Sequence, residues 1–130
     1  MDFYAIQVHR INLAKYPKDH LTRQLLQAKR FMDQHFAENI CLERVAQQAF
    51  LSKFHFIRLF KSYYGNTPFQ YLTAVRIQAA KKLLKTNKPV LEVCMATGFE
   101  SVPTFTTLFK RSTGSTPARF QRKAQKSNIR

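Results

Sequence analysis

Twenty residues of this 130-residue chain are written twice. Residues 52–71, SKFHFIRLFKSYYGNTPFQY, return 49 positions later as residues 101–120, SVPTFTTLFKRSTGSTPARF. The two align without a gap, and eight of the twenty positions are identical: Ser52/Ser101, Phe56/Phe105, Leu59/Leu108, Phe60/Phe109, Lys61/Lys110, Gly65/Gly114, Thr67/Thr116 and Pro68/Pro117. A short duplicated segment of this kind is one supersecondary unit used twice. Each copy opens on a Ser whose hydroxyl can accept from a first-turn amide that lacks a partner inside its helix. Each stops at a Gly, which takes the left-handed backbone at no steric cost. Each restarts at Thr-Pro, where the missing proline N–H costs nothing.

The rest of the chain continues the helical period. Spacing predicts a helix over residues 19–38, capped by Asp19, with Leu21, Leu25, Ala28, Met32, His35 and Phe36 on one side. A short helix over 42–49 and a turn at Phe50-Leu51 lead to a helix from Ser52 to about Tyr63, with Phe56, Leu59, Phe60 and Tyr63 inward. A connecting helix follows over 68–85, apolar around much of its circumference. Then the pattern restarts: a short helix over 89–97, a turn at Gly98-Phe99, a helix over 101–111 with Phe105, Leu108 and Phe109 inward, and a last helix over 117–124. No strand alternates with these helices, which excludes a parallel sheet. The predicted fold is all-α, with about seven helices in two helix-turn-helix subdomains joined by the long connecting helix. Residues 1–18 are poorly patterned, broken by Tyr16-Pro17, and read as an arm or linker. The folded domain is expected over 19–124, with the first helix-turn-helix at about 41–63 and the second at about 89–111. Residues 125–130 are expected to be a frayed basic tail.

Charge limits the partners. Lys and Arg number 22 against 7 acids, for a net charge of +15. Residues 101–130 hold seven of the cations (Lys110, Arg111, Arg119, Arg122, Lys123, Lys126 and Arg130) and no acid. Such an excess is the electrostatic footprint of nucleic-acid binding, with an anionic membrane surface as the competing partner. The uncharged apolar runs fall far short of the ~18 residues of a membrane span. No signal peptide is legible, and the chain reads as cytosolic. Cys41 and Cys94 form no disulfide framework or zinc spacing and read as small core or near-core residues of a reducing compartment. The four His residues make no metal-ligand pattern. The seven acids (Asp2, Asp19, Asp33, Glu38, Glu43, Glu92 and Glu100) form no catalytic pair with a His or Cys, and no glycine-rich phosphate loop is present. The chain therefore does not read as an enzyme, and calls for no metal, cofactor or small-molecule ligand.

A short helix, a tight turn and a capped longer helix make a helix-turn-helix, whose second helix can lie in a DNA major groove. One copy is weak support, and two copies in a strongly basic chain are much stronger. The connecting helix, ~27 Å long at about 18 residues, is short of the ~34 Å between successive grooves on one DNA face. A monomer gripping two grooves is then expected to bend its DNA.

At this point the residues carry a resemblance. The run LERVAQQAFLSKFHFIRLFKSYYGNTPFQYL, then RIQAAKKLL, then NKPVLEVCMATGFESVPTFTTLFKRSTGSTPARFQ resembles the AraC/XylS family DNA-binding domain over about residues 21–121. Its motifs are Ser-x-x-x-Phe-x-x-x-Phe-Lys with Gly-x-Thr-Pro, the Arg76/Ala79/Leu83/Leu84 pattern, and Gly98-Phe99 before the second recognition helix. In size the chain resembles stand-alone, MarA- and SoxS-like members. The resemblance implies sequence-specific binding of double-stranded DNA in the bacterial cytoplasm, at the nucleoid. It also implies control of transcription, usually activation through RNA polymerase. Two other readings stay open: the DNA-binding half of an effector-gated regulator, and a weakly specific architectural nucleic-acid binder.

The family's base-reading positions fall on Phe54, Ile57 and Arg58 in the first recognition helix. Arg58 can pair its fork with guanine O6 and N7, or clamp a phosphate. Phe54 and Ile57 can offer apolar contact to a thymine methyl, or serve as satellite core; related proteins often have a polar residue at Ile57. In the second helix the outward residues are Val102, Thr104, Thr106 and Thr107, too short for bidentate readout. The first motif is therefore expected to discriminate while the second anchors. Phosphate contacts are expected from Lys53, Lys61, Lys110, Arg111 and the helix starts at Thr67 and Thr116. Arg76 is assigned to joining the two lobes. Phe50 stands where related sequences have a turn Gly, and is strained if the turn needs positive φ. Cys94 stands where they have Ala.

Overall fold

The computed structural model describes residues 19–128, and among these the chain is seven α-helices. They are α1 (Asp19–His35), α2 (Leu42–Gln48), α3 (Lys53–Tyr64), α4 (Pro68–Leu84), α5 (Val90–Ala96), α6 (Val102–Thr113) and α7 (Pro117–Asn128). The arm or linker expected over residues 1–18 lies outside the described residues, as does the Asp19 side chain.

The chain divides into two compact units. The first holds α1, α2, α3 and the start of α4 as far as Leu72. The second holds α4 from Thr73, then α5, α6 and α7, together with the short segment Phe36–Asn39. In the first unit α1 packs on α2 and α2 on α3; in the second α5 packs on α6 and α6 on α7. All-round apolarity of α4 has a simple cause: Tyr71 and Leu72 are buried with the first unit, and Ile77, Ala80 and Leu84 are buried in the core of the second.

The duplicated sequence builds the same aromatic core twice. Phe56 and Phe60 meet edge-on with ring centroids 5.6 Å apart, and Phe105 and Phe109 do the same at 5.6 Å. The last residue of each repeat closes the cluster: Tyr71 lies 5.8 Å from Phe60, and Phe120 lies 5.3 Å from Phe109. These tilted and edge-on geometries satisfy the ring quadrupoles, and each ring is a large apolar surface withdrawn from water. In the first unit Lys29, itself buried, lies 5.5 Å from the Tyr64 ring centroid and 5.6 Å from that of Tyr71. The Tyr71 hydroxyl donates to the Asp33 carboxylate.

The caps fall where the repeat places them. Ser52 Oγ accepts from the His55 amide, and Ser101 Oγ from the Thr104 amide, each at 3.3 Å. Gly65 and Gly114 end their helices at φ 85° and 87°.

The turns differ. Phe50 and Gly98 hold equivalent positive φ values of 57° and 86°, and they stand 48 residues apart, whereas Ser52 and Ser101 stand 49 apart. The second turn therefore carries one extra residue, Glu100, which an ungapped alignment of the recognition helices does not show. Positive φ at a bulky residue costs ~1–2 kcal/mol, and Phe50, 77% exposed, recovers little by packing. Phe50→Gly is expected to stabilise the chain by about 0.5–1 kcal/mol, the relieved strain less the extra unfolded-state entropy of glycine. Urea denaturation measures this, and a lower midpoint would mean that the Phe50 ring contributes packing after all.

Two expectations are corrected. Cys41 is exposed, not core or near-core: it occupies the N-cap position of α2 with extended backbone, just outside the helix whose apolar face is buried. Cys94 is buried, and burial raises its thiol pKa. The last helix does not end at Ala124 but continues to Asn128. Gln121 Nε2 donates to the carbonyls of Leu84, at 3.1 Å, and Lys88, at 2.6 Å. One turn later Gln125 donates to the Asn87 side chain, carrying the helix on past its apolar residues.

Candidate nucleic-acid interface

Each recognition helix buries one side and leaves the other in solvent. On α3 the buried side is Phe56, Leu59, Phe60, Tyr63 and Tyr64. Opposite them Phe54, His55, Arg58 and Lys61 are exposed, and Ile57 is half-buried. The Phe54 ring is 74% exposed, with the Lys53 ammonium 5.8 Å from its centroid. Arg58 and Lys61 lie three residues apart, so two cations and an aromatic ring share one solvent-facing side.

On α6 the buried residues are Phe105 and Phe109. Thr104, Thr107, Lys110 and Arg111 are exposed, while Thr106 is half-buried. Val102 packs its side chain against the second core. Leu108, expected inward, is half-buried there too. Ser101 donates its hydroxyl to Thr104 Oγ1 at 3.1 Å.

The expected phosphate ligands are held differently from one another. Lys53 pairs with the Glu43 carboxylate at 3.0 Å. The Lys53 hydrogen bond, then Glu43's own backbone amide and the Cys41 thiol, hold the Glu43 carboxyl below its ordinary pKa. An exposed pair of this kind is worth little and exchanges readily for another anion. At the start of α4 the Gln70 amide donates to Thr67 Oγ1 at 3.1 Å while the Thr67 amide donates to Gln70 Oε1 at 2.9 Å. This is a reciprocal capping box, and it occupies the amide that an anion would use. At the start of α7 Arg119 stands in the place of Gln70: its amide donates to Thr116 Oγ1 at 3.2 Å, and no side chain closes back on Thr116. The Thr-x-x-Gln spacing at Thr67 and its absence at Thr116 were legible in the sequence as a capping-box signal.

Arg76 lies in the second unit, partly buried. Its Nε donates to the Phe36 carbonyl at 2.7 Å and its Nη2 to the Glu38 carbonyl at 3.1 Å, which pins the segment Phe36–Asn39. Burial lowers its pKa and Glu100 opposes that shift; a guanidinium stays charged regardless. Among the described residues no group of three His, Cys, Asp or Glu could hold a metal ion, and no helix is long and apolar enough to cross a membrane.

Two helix-turn-helix units with solvent-facing, cationic recognition helices define a class of nucleic-acid-binding fold. The family described as helix-turn-helix domain matches residues 45–123. The chain is 41% identical over 92 residues to the bifunctional transcriptional activator/DNA repair enzyme AdaA of Bacillus subtilis (strain 168), covering 70% of this chain and 44% of that protein. The chain thus spans less than half the length of that relative. Among solved structures it is similar to the DNA-binding domain of the global transcriptional factor AdpA in complex with a target DNA. The TM-score is 0.77 at 30% identity, covering 82% of this chain and 96% of that one. It is also similar to a transcriptional regulator of Chromobacterium violaceum described as containing an AraC-type DNA-binding domain, with TM-score 0.72 at 27% identity over 79% of this chain and 93% of that one. The chain belongs to the AraC/XylS family of helix-turn-helix domains.

Proposed function

We propose that this chain is the sequence-specific DNA-binding domain of a bacterial transcriptional regulator, placing α3 and α6 in two successive major grooves as a monomer. The observation that carries this reading is the pair of Ser-capped helices, each burying a Phe-Phe seam and turning its cations outward. Arg58 is the principal reader, since a guanidinium fork matches guanine O6 and N7. Phe54 and the exposed part of Ile57 meet thymine methyls. On α6 Thr104, Thr106 and Thr107, with the exposed edge of Val102, make short contacts of low discriminating power. Lys61, Lys110 and Arg111 hold phosphates, as does the open amide at Thr116. Lys53 joins them by leaving Glu43. Thr67, whose amide is boxed by Gln70, contributes through its hydroxyl. Arg76 acts within the second unit, holding the segment Phe36–Asn39 through the carbonyls of Phe36 and Glu38. The family relationship supports action on transcription, with activation through RNA polymerase as the mode to test first.

The test is a saturation-mutated site library scored by selection and sequencing. Information content is expected to be concentrated in the half-site under α3. In the same assay Arg58→Ala is expected to relax preference at one base position, at a cost of ~1–3 kcal/mol on the preferred base. Lys110→Ala with Arg111→Ala is expected to weaken binding to every sequence alike, because phosphate contacts carry no sequence information. An Arg58→Ala loss equal for all sequences would make Arg58 a phosphate clamp. A library with no preferred sequence would favour the architectural reading instead.

A further inference from the structure

The first helix of each helix-turn-helix provides an internal comparison. α2 and α5 are both seven residues long and correspond at an offset of 48. Val45 and Ala46 are buried in one, and Val93 and Cys94 in the other. Their exposed sides differ in chemistry. Where α2 presents Glu43, Arg44 and Gln47, α5 presents Leu91, Glu92 and Met95. Leu91 and Met95 are 60% and 71% exposed and stand one helical turn apart. The polar side of α2 demonstrates that this fold does not need apolar residues there. Adjacent large apolar side chains left in water mark an interaction surface, which singly scattered ones do not.

Relief and charge point to the occupant. Met95 also lines an open cavity of about 400 Å³, walled by Ala37, Asn39, Gly98, Phe99 and Glu100. From Thr73 to Arg130 the chain has only two acids, Glu92 and Glu100. Both are exposed and both border this strip: Glu92 beside Leu91, where it pairs with Lys88 at 3.6 Å in an exposed ion pair of little worth that a partner's cation can replace, and Glu100 in the cavity wall. Glu100 is also the residue that the first turn lacks. Carboxylates repel phosphates, so the strip is not built for nucleic acid, and a net charge of +15 opposes pairing with a second copy.

We infer that the Leu91–Met95 strip docks a short amphipathic helix of a partner protein. That helix places two apolar residues, one turn apart, on Leu91 and Met95 and into the adjoining cavity, with Arg or Lys beside Glu92 and Glu100. This inference goes beyond DNA binding and does not rest on it.

The probe is a synthetic helical peptide with Leu at i and i+4, Arg flanking that face and Glu on its far side for zero net charge. At about 150 mM salt the Debye length of ~8 Å screens the chain's overall charge while neighbouring carboxylates still act. Fluorescence anisotropy of the labelled peptide is expected to saturate. In chain labelled at the methionine methyls, the Met95 signal is expected to move while that of Met32, buried in the first unit, does not. Leu91→Glu with Met95→Gln installs the residues that α2 carries at these exposed positions. It is expected to weaken peptide binding at least tenfold, with an unchanged circular dichroism spectrum and unchanged affinity for a duplex chosen from the site library. Glu92→Gln with Glu100→Gln is expected to weaken peptide binding several-fold. Any of four results overturns the inference. The Arg-flanked peptide fails to saturate, or a Glu-flanked version binds as well. The double variant loses DNA affinity, which would assign the strip to the DNA interface. A dimer seen by sedimentation disappears in that variant, which would make the occupant a second copy.

Discussion

Raising salt from about 50 to 200 mM is expected to weaken DNA binding by ~10³–10⁴-fold, because each phosphate neutralised by a cation releases condensed counterions. On the two recognition helices and α7 the exposed cations are Arg58 and Lys61 on α3, Lys110 and Arg111 on α6, and Arg119, Arg122, Lys123 and Lys126 on α7. If ~6–8 phosphates are neutralised by these and the helix-start amides, log K falls against log salt with a slope of about −5 to −7. Lys53 adds less than a free lysine would, since it must first leave Glu43. The measurement is a salt titration of affinity for one fixed duplex. A slope near −1 would mean that these cations do not meet phosphates, and would remove the electrostatic basis of the proposed function.

Gly98→Ala is expected to destabilise the second unit by ~3 kcal/mol, a large share of the ~5–15 kcal/mol that holds a typical domain together. Two costs add. At φ +86° an alanine Cβ is strained, at ~1–2 kcal/mol. That Cβ would also stand 2.5 Å from the Phe36 carbonyl oxygen and 3.0 Å from Arg76 Nε. The same carbonyl accepts the Arg76 hydrogen bond at 2.7 Å, so moving it aside loosens a partly buried charged pairing worth ~1–3 kcal/mol. Gly114→Ala is the control. Its φ is +87°, but a Cβ there meets nothing within 4 Å, so only the backbone strain of ~1–2 kcal/mol remains. Urea denaturation of the two variants separates the terms. Equal losses would mean that the Phe36–Asn39 segment yields at no cost and that Arg76 does not hold it firmly.

The helices and their caps were legible in the residues. Ser52, Gly65, Thr67-Pro68 and their counterparts Ser101, Gly114 and Thr116-Pro117 act through backbone groups within a few positions of themselves, so a linear reading finds them. The Phe-Phe seams were legible for the same reason, because a 3.6-residue period puts residues four apart on one side whatever surrounds the helix. Family membership followed from those same residues. The packed structure alone decided how each helical side was used. Cys41 turned out exposed because it falls at a cap position, one residue outside its helix. The extra residue Glu100 appeared once Phe50 and Gly98 were matched by their φ values; the gapless 49-residue repeat aligns the recognition helices and passes over the turn before them. Leu91 and Met95 were left mostly exposed, while Lys53 met Glu43 and Arg76 met the carbonyls of Phe36 and Glu38. The two pairings depend on residues ten to forty positions away along the chain. Periodicity and capping carry no information about such distant pairings, because they record only what one turn of helix requires of the next.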